Sequence, residues 1–205
     1  MRIPKIQIKE ISTRGFTLAE LLVTMSVFTL LSVVVLVNFR KVDNSLVLQN
    51  VAHQVALVIR KAQISGISVA GFGSGASEIF PSYGVNFNTA SPTTFTLFAD
   101  RNGNNVFDGT CPGVTCERVQ GYTLLKGYTI KSLLGNLKTS SPGVAVNPLN
   151  ITFTRPNPDA CFKRTAVGLL CPSGSLYSDA DIIIQSISGA TKTITIWRTG
   201  QISIQ

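Results

Sequence analysis

The sequence predicts an α+β protein in which a long N-terminal hydrophobic helix packs on a C-terminal antiparallel β-sheet head. Three observations carry that expectation. An uncharged apolar run covers Leu21 to Val37, and helical spacing of apolar residues continues past it to Ala62. Beyond Gly66, short segments rich in Ile, Thr, Phe and Tyr alternate apolar with polar residues. Gly, Pro, Asn and Ser separate those segments, as turns between strands require. A chain of 205 residues has room for one core-forming head beside such a helix. The expected division is a leader over 1–15, a membrane helix over 16–39, its amphipathic continuation over 40–65 and a head over 66–205.

The leader is basic, with Arg2, Lys5, Lys9 and Arg14 against Glu10. The run that follows has only Thr24, Ser26, Thr29 and Ser32 as polar members. With its flanks, Phe16 to Phe39, it makes a helix of about 36 Å, enough to cross a hydrocarbon core of about 30 Å. The positive-inside rule then puts the leader in the cytoplasm and the head outside a single-pass cytoplasmic (inner) membrane anchor. A secretory signal peptide shares the basic start, but this run is longer than such a core and no small-x-small cleavage site follows it. Glu20 stands almost at the start of the run. A carboxylate at membrane depth costs about 2.5 kcal/mol or more without a partner, which marks Glu20 as functional.

The string Arg14-Gly15-Phe16-Thr17-Leu18-Ala19-Glu20-Leu21-Leu22-Val23 resembles the processing site of type IV prepilins and pseudopilins. The resemblance implies cleavage by a prepilin peptidase between Gly15 and Phe16, followed by methylation of Phe16. It also implies that Glu20 pairs with the N-terminal amine of a neighbouring subunit during assembly. Ala19 stands where the family usually has a bulky aliphatic residue. The implied partners are the peptidase, other pilin or pseudopilin subunits and a membrane-embedded assembly platform.

After the apolar run, Val47, Val51, Val55, Val58, Ile59 and Ala62 recur at three- and four-residue spacing, the stripe of a helix lying on a head. Ser65-Gly66 and the glycines from Gly71 to Gly75 are expected to end it. Strands are expected over 83–87, 94–99, 119–125, 128–133, 151–154, 181–188, 192–197 and 201–204, with hairpins at Ser188-Gly189-Ala190 and Thr199-Gly200. The segments 90–94, 139–143, 156–159 and 172–175 read as exposed loops. The helix, the Tyr83-Gly84-Val85-x-Phe87 strand and the closing Ile-x-Ile-x-Arg-x-Gly-Gln-Ile pattern resemble the minor pseudopilin H and fimbrial T-like subgroup. That resemblance implies a minor pilin or pseudopilin of a type IV pilus or a type II secretion pseudopilus.

All four cysteines, Cys111, Cys116, Cys161 and Cys171, lie in the second half of the chain, downstream of the export-like segment. Three pairings are open, and the local ones, Cys111–Cys116 and Cys161–Cys171, are favoured because a turn or hairpin lies between each pair. Zinc is disfavoured by the wide second spacing and by the distance of the single histidine, His53. In Asp100-Arg101-Asn102-Gly103-Asn104-Asn105-Val106-Phe107-Asp108, the oxygen side chains of Asp100, Asn102, Asn104 and Asp108 imitate the first part of a calcium loop. The other reading is a turn between strands, since Cys111 occupies the position of the bidentate acid, which leaves Glu117 as the residue that could complete a site. No other cofactor is expected.

The net charge of +8 attracts polyanions in general. Lys163, Arg164, Lys192 and Arg198 would form a DNA- or surface-binding patch if they shared a face, and the loop from Cys161 to Cys171 is a natural place for external contact. An enzyme is not expected, for the chain has no nucleophile elbow, no phosphate-binding glycine loop and no histidine in the head.

Overall fold

The computed structural model describes residues 15–68, 70–73, 78–109, 116–137, 140–164 and 177–205, except for the side chains of 37–44, 137 and 140–142. Two compact units share the chain, Met1–Asp43 and Asn44–Gln205. Helix α1 (Leu18–Ile67) contributes to both.

In the first unit, Leu18–Leu36 is long and apolar enough to cross a membrane, and none of it is buried within the protein. Its hydroxyls would be costly in lipid if unpaired. Each is turned back onto the helix instead: Thr24 donates to the Leu21 carbonyl at 2.9 Å, Ser26 to Val23 at 2.8 Å, Thr29 to Met25, and Ser32 to Phe28 at 2.8 Å. The four polar residues therefore leave the apolar surface intact.

In the second unit, α1 shows its stripe. Leu48, Val51, Ala52, Val55, Ile59 and Ala62 are buried, with Val47 and Val58 half-buried beside them. The strands are β1 (Ser82–Phe87), β2 (Thr94–Asp100), β3 (Arg118–Thr123), β4 (Tyr128–Leu137), β5 (Ser140–Ala145), β6 (Leu149–Phe153), β7 (Ala160–Lys163), β8 (Tyr177–Ser186), β9 (Thr191–Trp197) and β10 (Ile202–Ile204). They form two antiparallel sheets of five, ordered β3-β2-β1-β6-β7 and β10-β9-β8-β4-β5. Val85, Phe87, Leu97, Ile151 and Phe153 of the first sheet share one core with Ile130, Leu133, Ile182, Ile184, Ile194 and Ile196 of the second and with the α1 stripe. The protein is thus α+β, and both hairpins expected near the C-terminus are present, closed by Gly189 N–H to Ser186 O at 3.0 Å and Gly200 N–H to Trp197 O at 2.8 Å.

Three expectations need correction. Residues 139–143 were expected in a loop, yet β5 pairs with β4 there. Pro142 is compatible with a strand because β5 is an edge. Of the loop from Cys161 to Cys171 expected to make external contact, Phe162 and Lys163 belong to β7, which pairs with β6 and is buried throughout, while residues 165–171 lie outside the described residues. Gly66 was expected to end the helix but lies inside it, on the buried face. A side chain at Gly66 would bring its Cβ to 2.4 Å from the Phe153 carbonyl oxygen, so the position is a close approach between helix and β6. Gly66→Ala is expected to destabilise the head by about 1–3 kcal/mol, lowering Tm by roughly 3–10 °C in a thermal melt. An unchanged Tm would mean that the helix end is not held against β6.

Gln63 fastens the same helix end. Though almost fully buried, it donates through Nε2 to Pro158 O and to Gly200 O, each at 3.1 Å, and accepts from Arg60 Nη1. One amide thereby ties α1 to the segment before β7 and to the β9–β10 turn.

Candidate functional site

Gly15, Phe16 and Thr17 precede α1 and are exposed. The Leu21 N–H donates to the Thr17 carbonyl at 3.2 Å, and the Glu20 N–H donates to Thr17 Oγ1 at 3.3 Å. Thr17 is therefore the helix N-cap, since its carbonyl accepts the first helical bond while its side chain satisfies a first-turn donor. Glu20 lies in the first turn, exposed, where a negative charge is favoured by the helix dipole. Arg14 and the rest of the leader lie outside the described residues.

The second candidate is the segment after β2. Asp100 accepts from Asn104 N–H at 3.1 Å and from Asn105 N–H at 2.8 Å. Asn102 Oδ1 and Asn104 Oδ1 accept from Asn104 N–H and Val106 N–H at 3.1 and 2.7 Å. Asp108 Oδ2 accepts from the side-chain amides of Asn102 at 2.6 Å and Asn104 at 2.9 Å. Glu117 arrives from the start of β3 and accepts from Arg101 N–H at 3.1 Å and Asp108 N–H at 3.0 Å. Gly103 and Asn105, at φ +74° and +60°, supply the left-handed backbone this tight path needs.

So the four oxygen-bearing residues singled out for calcium do converge, and Glu117 joins them. Their oxygens, however, are engaged by N–H groups. Among the described residues no group of three or more His, Cys, Asp and Glu side chains is placed to hold a metal ion. Calcium takes six to eight oxygens, and most of those gathered here accept N–H bonds instead, as in a turn.

What the segment does is cover a sheet face. Asn150, fully buried on β6, accepts from Phe107 N–H at 3.1 Å and from Asn86 Nδ2 at 2.8 Å, and donates to Lys163 O at 3.2 Å. Thr152 donates to Asn105 Oδ1 at 2.9 Å, and the Phe107 ring lies 5.5 Å from that of Phe98. Strands β6 and β7 are consequently buried on both faces, by the core on one and by residues 101–108 on the other, while the edge strand β3 stays largely exposed.

This arrangement removes Lys163 from any exposed patch, because it is buried with its ammonium on Asn104 O at 3.1 Å. Arg164 is exposed and donates to Asn147 O at 3.1 Å. Lys192 lies in β9 and Arg198 just beyond its far end, about 20 Å apart along an extended strand. The patch of four cations therefore lacks Lys163, and two of its other members stand at opposite ends of β9. Neither Cys116 nor Cys161 is a free thiol, whereas Cys111 and Cys171 lie outside the described residues.

Burial holds the Asp100 and Glu117 carboxyls above their ordinary values, against the lowering effect of the N–H bonds they accept. A folded pKa above the unfolded one means that the folded state binds more protons between the two. The contribution is fully present below the ordinary carboxylate range and is lost as pH rises through the raised folded values. A melting scan upward from about pH 4 is expected to show this loss, and Glu117→Gln should be less stable at every pH yet show a shallower slope. Equal slopes would mean that Glu117 ionises in the fold as freely as in the unfolded chain.

Sequence comparison bears on the first candidate alone. Residues 12–36 match the family described as the prokaryotic N-terminal methylation motif. No curated protein and no solved structure matches the chain. The matched segment begins before Gly15 and covers the apolar helix, which supports a type IV pilin-like reading of a chain with one candidate membrane span among its described residues.

Proposed function

We propose that the chain is a minor pilin or pseudopilin, a non-enzymatic structural subunit of a type IV pilus or of a type II secretion pseudopilus. It is cut by prepilin peptidase between Gly15 and Phe16, methylated on Phe16, and assembled through the apolar half of α1. The observation that carries this reading is the wholly unburied apolar helix within the methylation-motif match, with Glu20 as the one charged side chain from Leu18 to Leu36. A carboxylate there needs a cation, and the Phe16 amine of a neighbouring subunit supplies one. The membrane-embedded assembly platform would then draw the subunit from the cytoplasmic membrane into the filament.

A head that binds DNA was the other reading. The burial of Lys163 weighs against it, because one of the four cations it would use is turned inward. The segment Asp100 to Asp108 is read as a structural cover for β1 and β6, with calcium as the alternative. Adding calcium to the melting scan separates the two, because a bound ion raises Tm and a self-satisfied turn does not respond.

Intact mass and N-terminal peptide analysis, with and without a prepilin peptidase, tests the proposal. The expected product starts at methylated Phe16 only when the peptidase is present. Non-reducing digestion of the same sample should recover Cys111 joined to Cys116 and Cys161 to Cys171. A start at Met1 in both samples would refute the assignment and leave a single-pass anchored head.

A further inference from the structure

We propose that Thr17 is a positioning residue for processing: as N-cap it begins α1 just after the Gly15–Phe16 peptide and keeps that peptide out of the helical hydrogen-bond ladder. The inference rests on the prepilin reading and adds to it a residue that acts through backbone geometry.

The argument starts from the two bonds that define the cap, Leu21 N–H to Thr17 O at 3.2 Å and Glu20 N–H to Thr17 Oγ1 at 3.3 Å. The surrounding residue types reinforce it. Thr17 and Glu20 have the spacing of a capping box, and Phe16 and Leu21 occupy the positions of a hydrophobic staple. The stretch Phe16 to Leu21 is thus a complete helix-start signal, superimposed on the residues that the peptidase would meet.

Its consequence for cleavage is geometric. The next capping residues upstream are Ser12 and Thr13. A helix begun at either would run through Gly15 and Phe16, and the Gly15 carbonyl would accept from the Ala19 N–H. Hydrolysis adds water across the Gly15–Phe16 amide, leaving a carboxylate on Gly15 and an ammonium on Phe16. That chemistry needs a carbonyl free to be polarised and a chain free to be gripped, and proteolysis accordingly concentrates in exposed non-helical backbone. With Thr17 as cap, Gly15 is exposed, nothing lies within 4 Å of where a Cβ would stand on it, and Phe16 is 75% exposed.

The test uses the full-length precursor in detergent with a purified prepilin peptidase, reading initial cleavage rates by mass spectrometry and amide exchange at Glu20. Thr17→Val keeps the shape and removes the hydroxyl, and Thr17→Ala removes both. Each is expected to slow cleavage by about 5-fold and to speed Glu20 exchange. Thr17→Ser and Thr17→Asn restore a capping oxygen on different shapes and are expected to stay within about 2-fold of the parent. Cleavage of Thr17→Val at the parental rate would overturn the proposal. So would Ser and Asn variants as slow as Val, because the peptidase would then be reading threonine itself. A parental precursor that is never cut would instead overturn the prepilin assignment, and this proposal with it.

Discussion

Phe87→Ala is expected to lower the unfolding free energy of the head by about 4 kcal/mol, a large share of the 5–15 kcal/mol that typical folded proteins possess. Phe87 has no exposed surface and sits on β1, the central strand of the first sheet, opposite Phe95 on β2 and Leu149 on β6. Its ring stacks on Phe95 at 5.3 Å, and Phe95 stacks in turn on Tyr122 at 5.2 Å. Truncation leaves a cavity at the inner end of a three-ring stack that reaches the edge strand β3, so the loss combines burial, cavity and aromatic contact. At about 2–4 °C per kcal/mol for a chain of this size, Tm should fall by roughly 8–16 °C. The measurement is a thermal melt of the detergent-solubilised protein followed by circular dichroism at a β-sheet wavelength. A fall of less than about 2 °C would mean that the stack is not seated in the core.

Asn150→Leu should cost about 3 kcal/mol through a different mechanism. Leucine matches the volume and apolar surroundings but leaves the Phe107 N–H, the Asn86 amide and the Lys163 carbonyl without the partner they now share. An unsatisfied buried polar group is the costly case, and here one fully buried and two half-buried groups lose a partner at once. The damage should be local before it is global, with amide exchange at Phe107 rising well before that of β8 and β9. If Phe107 kept its protection, the Phe98–Phe107 ring contact would be what holds residues 101–108 down.

How much of this was legible depended on which interactions were local. The α1 stripe could be read because Val51, Val55, Ile59 and Ala62 repeat at the helical period. Strands β1, β2, β9 and β10 could be read because their alternation is their own property. The two missed strands lack that property. β5 is built from Ser-Ser-Pro-Gly-Val-Ala and is a strand because β4 offers it an edge, while β7 is four residues long and wholly buried. That full burial follows from a layer on each face of the sheet at β6 and β7, and no local pattern in Ala-Cys-Phe-Lys announces it.

At the candidate sites the same distinction holds. The helix-start signal from Phe16 to Leu21 is contiguous and therefore readable. The gathering of Asp100, Asn102, Asn104 and Asp108 was readable as a turn. That Glu117 would meet Arg101 and Asp108, and that Asn150 would receive Phe107, depended on long-range pairing. The removal of Lys163 from the surface depended on it as well, since its ammonium meets Asn104 across 59 residues of chain.

Strand order also fixes a schedule for folding as the chain is made. β1 pairs on one side with β2, its immediate successor, and on the other with β6, where Asn86 meets Asn150 across 64 residues. At about 5–20 residues per second, β1 waits roughly 3 to 13 seconds for β6 to emerge and cover its open flank. Val85, Phe87 and Leu97 need apolar cover throughout that interval, and non-local closure is the slow step in such topologies. The second half of α1 precedes all three and shares their core. Its Val51, Val55 and Ile59 stripe can therefore serve the nascent head as an internal chaperone, shielding the half-built sheet until the strand that completes it arrives.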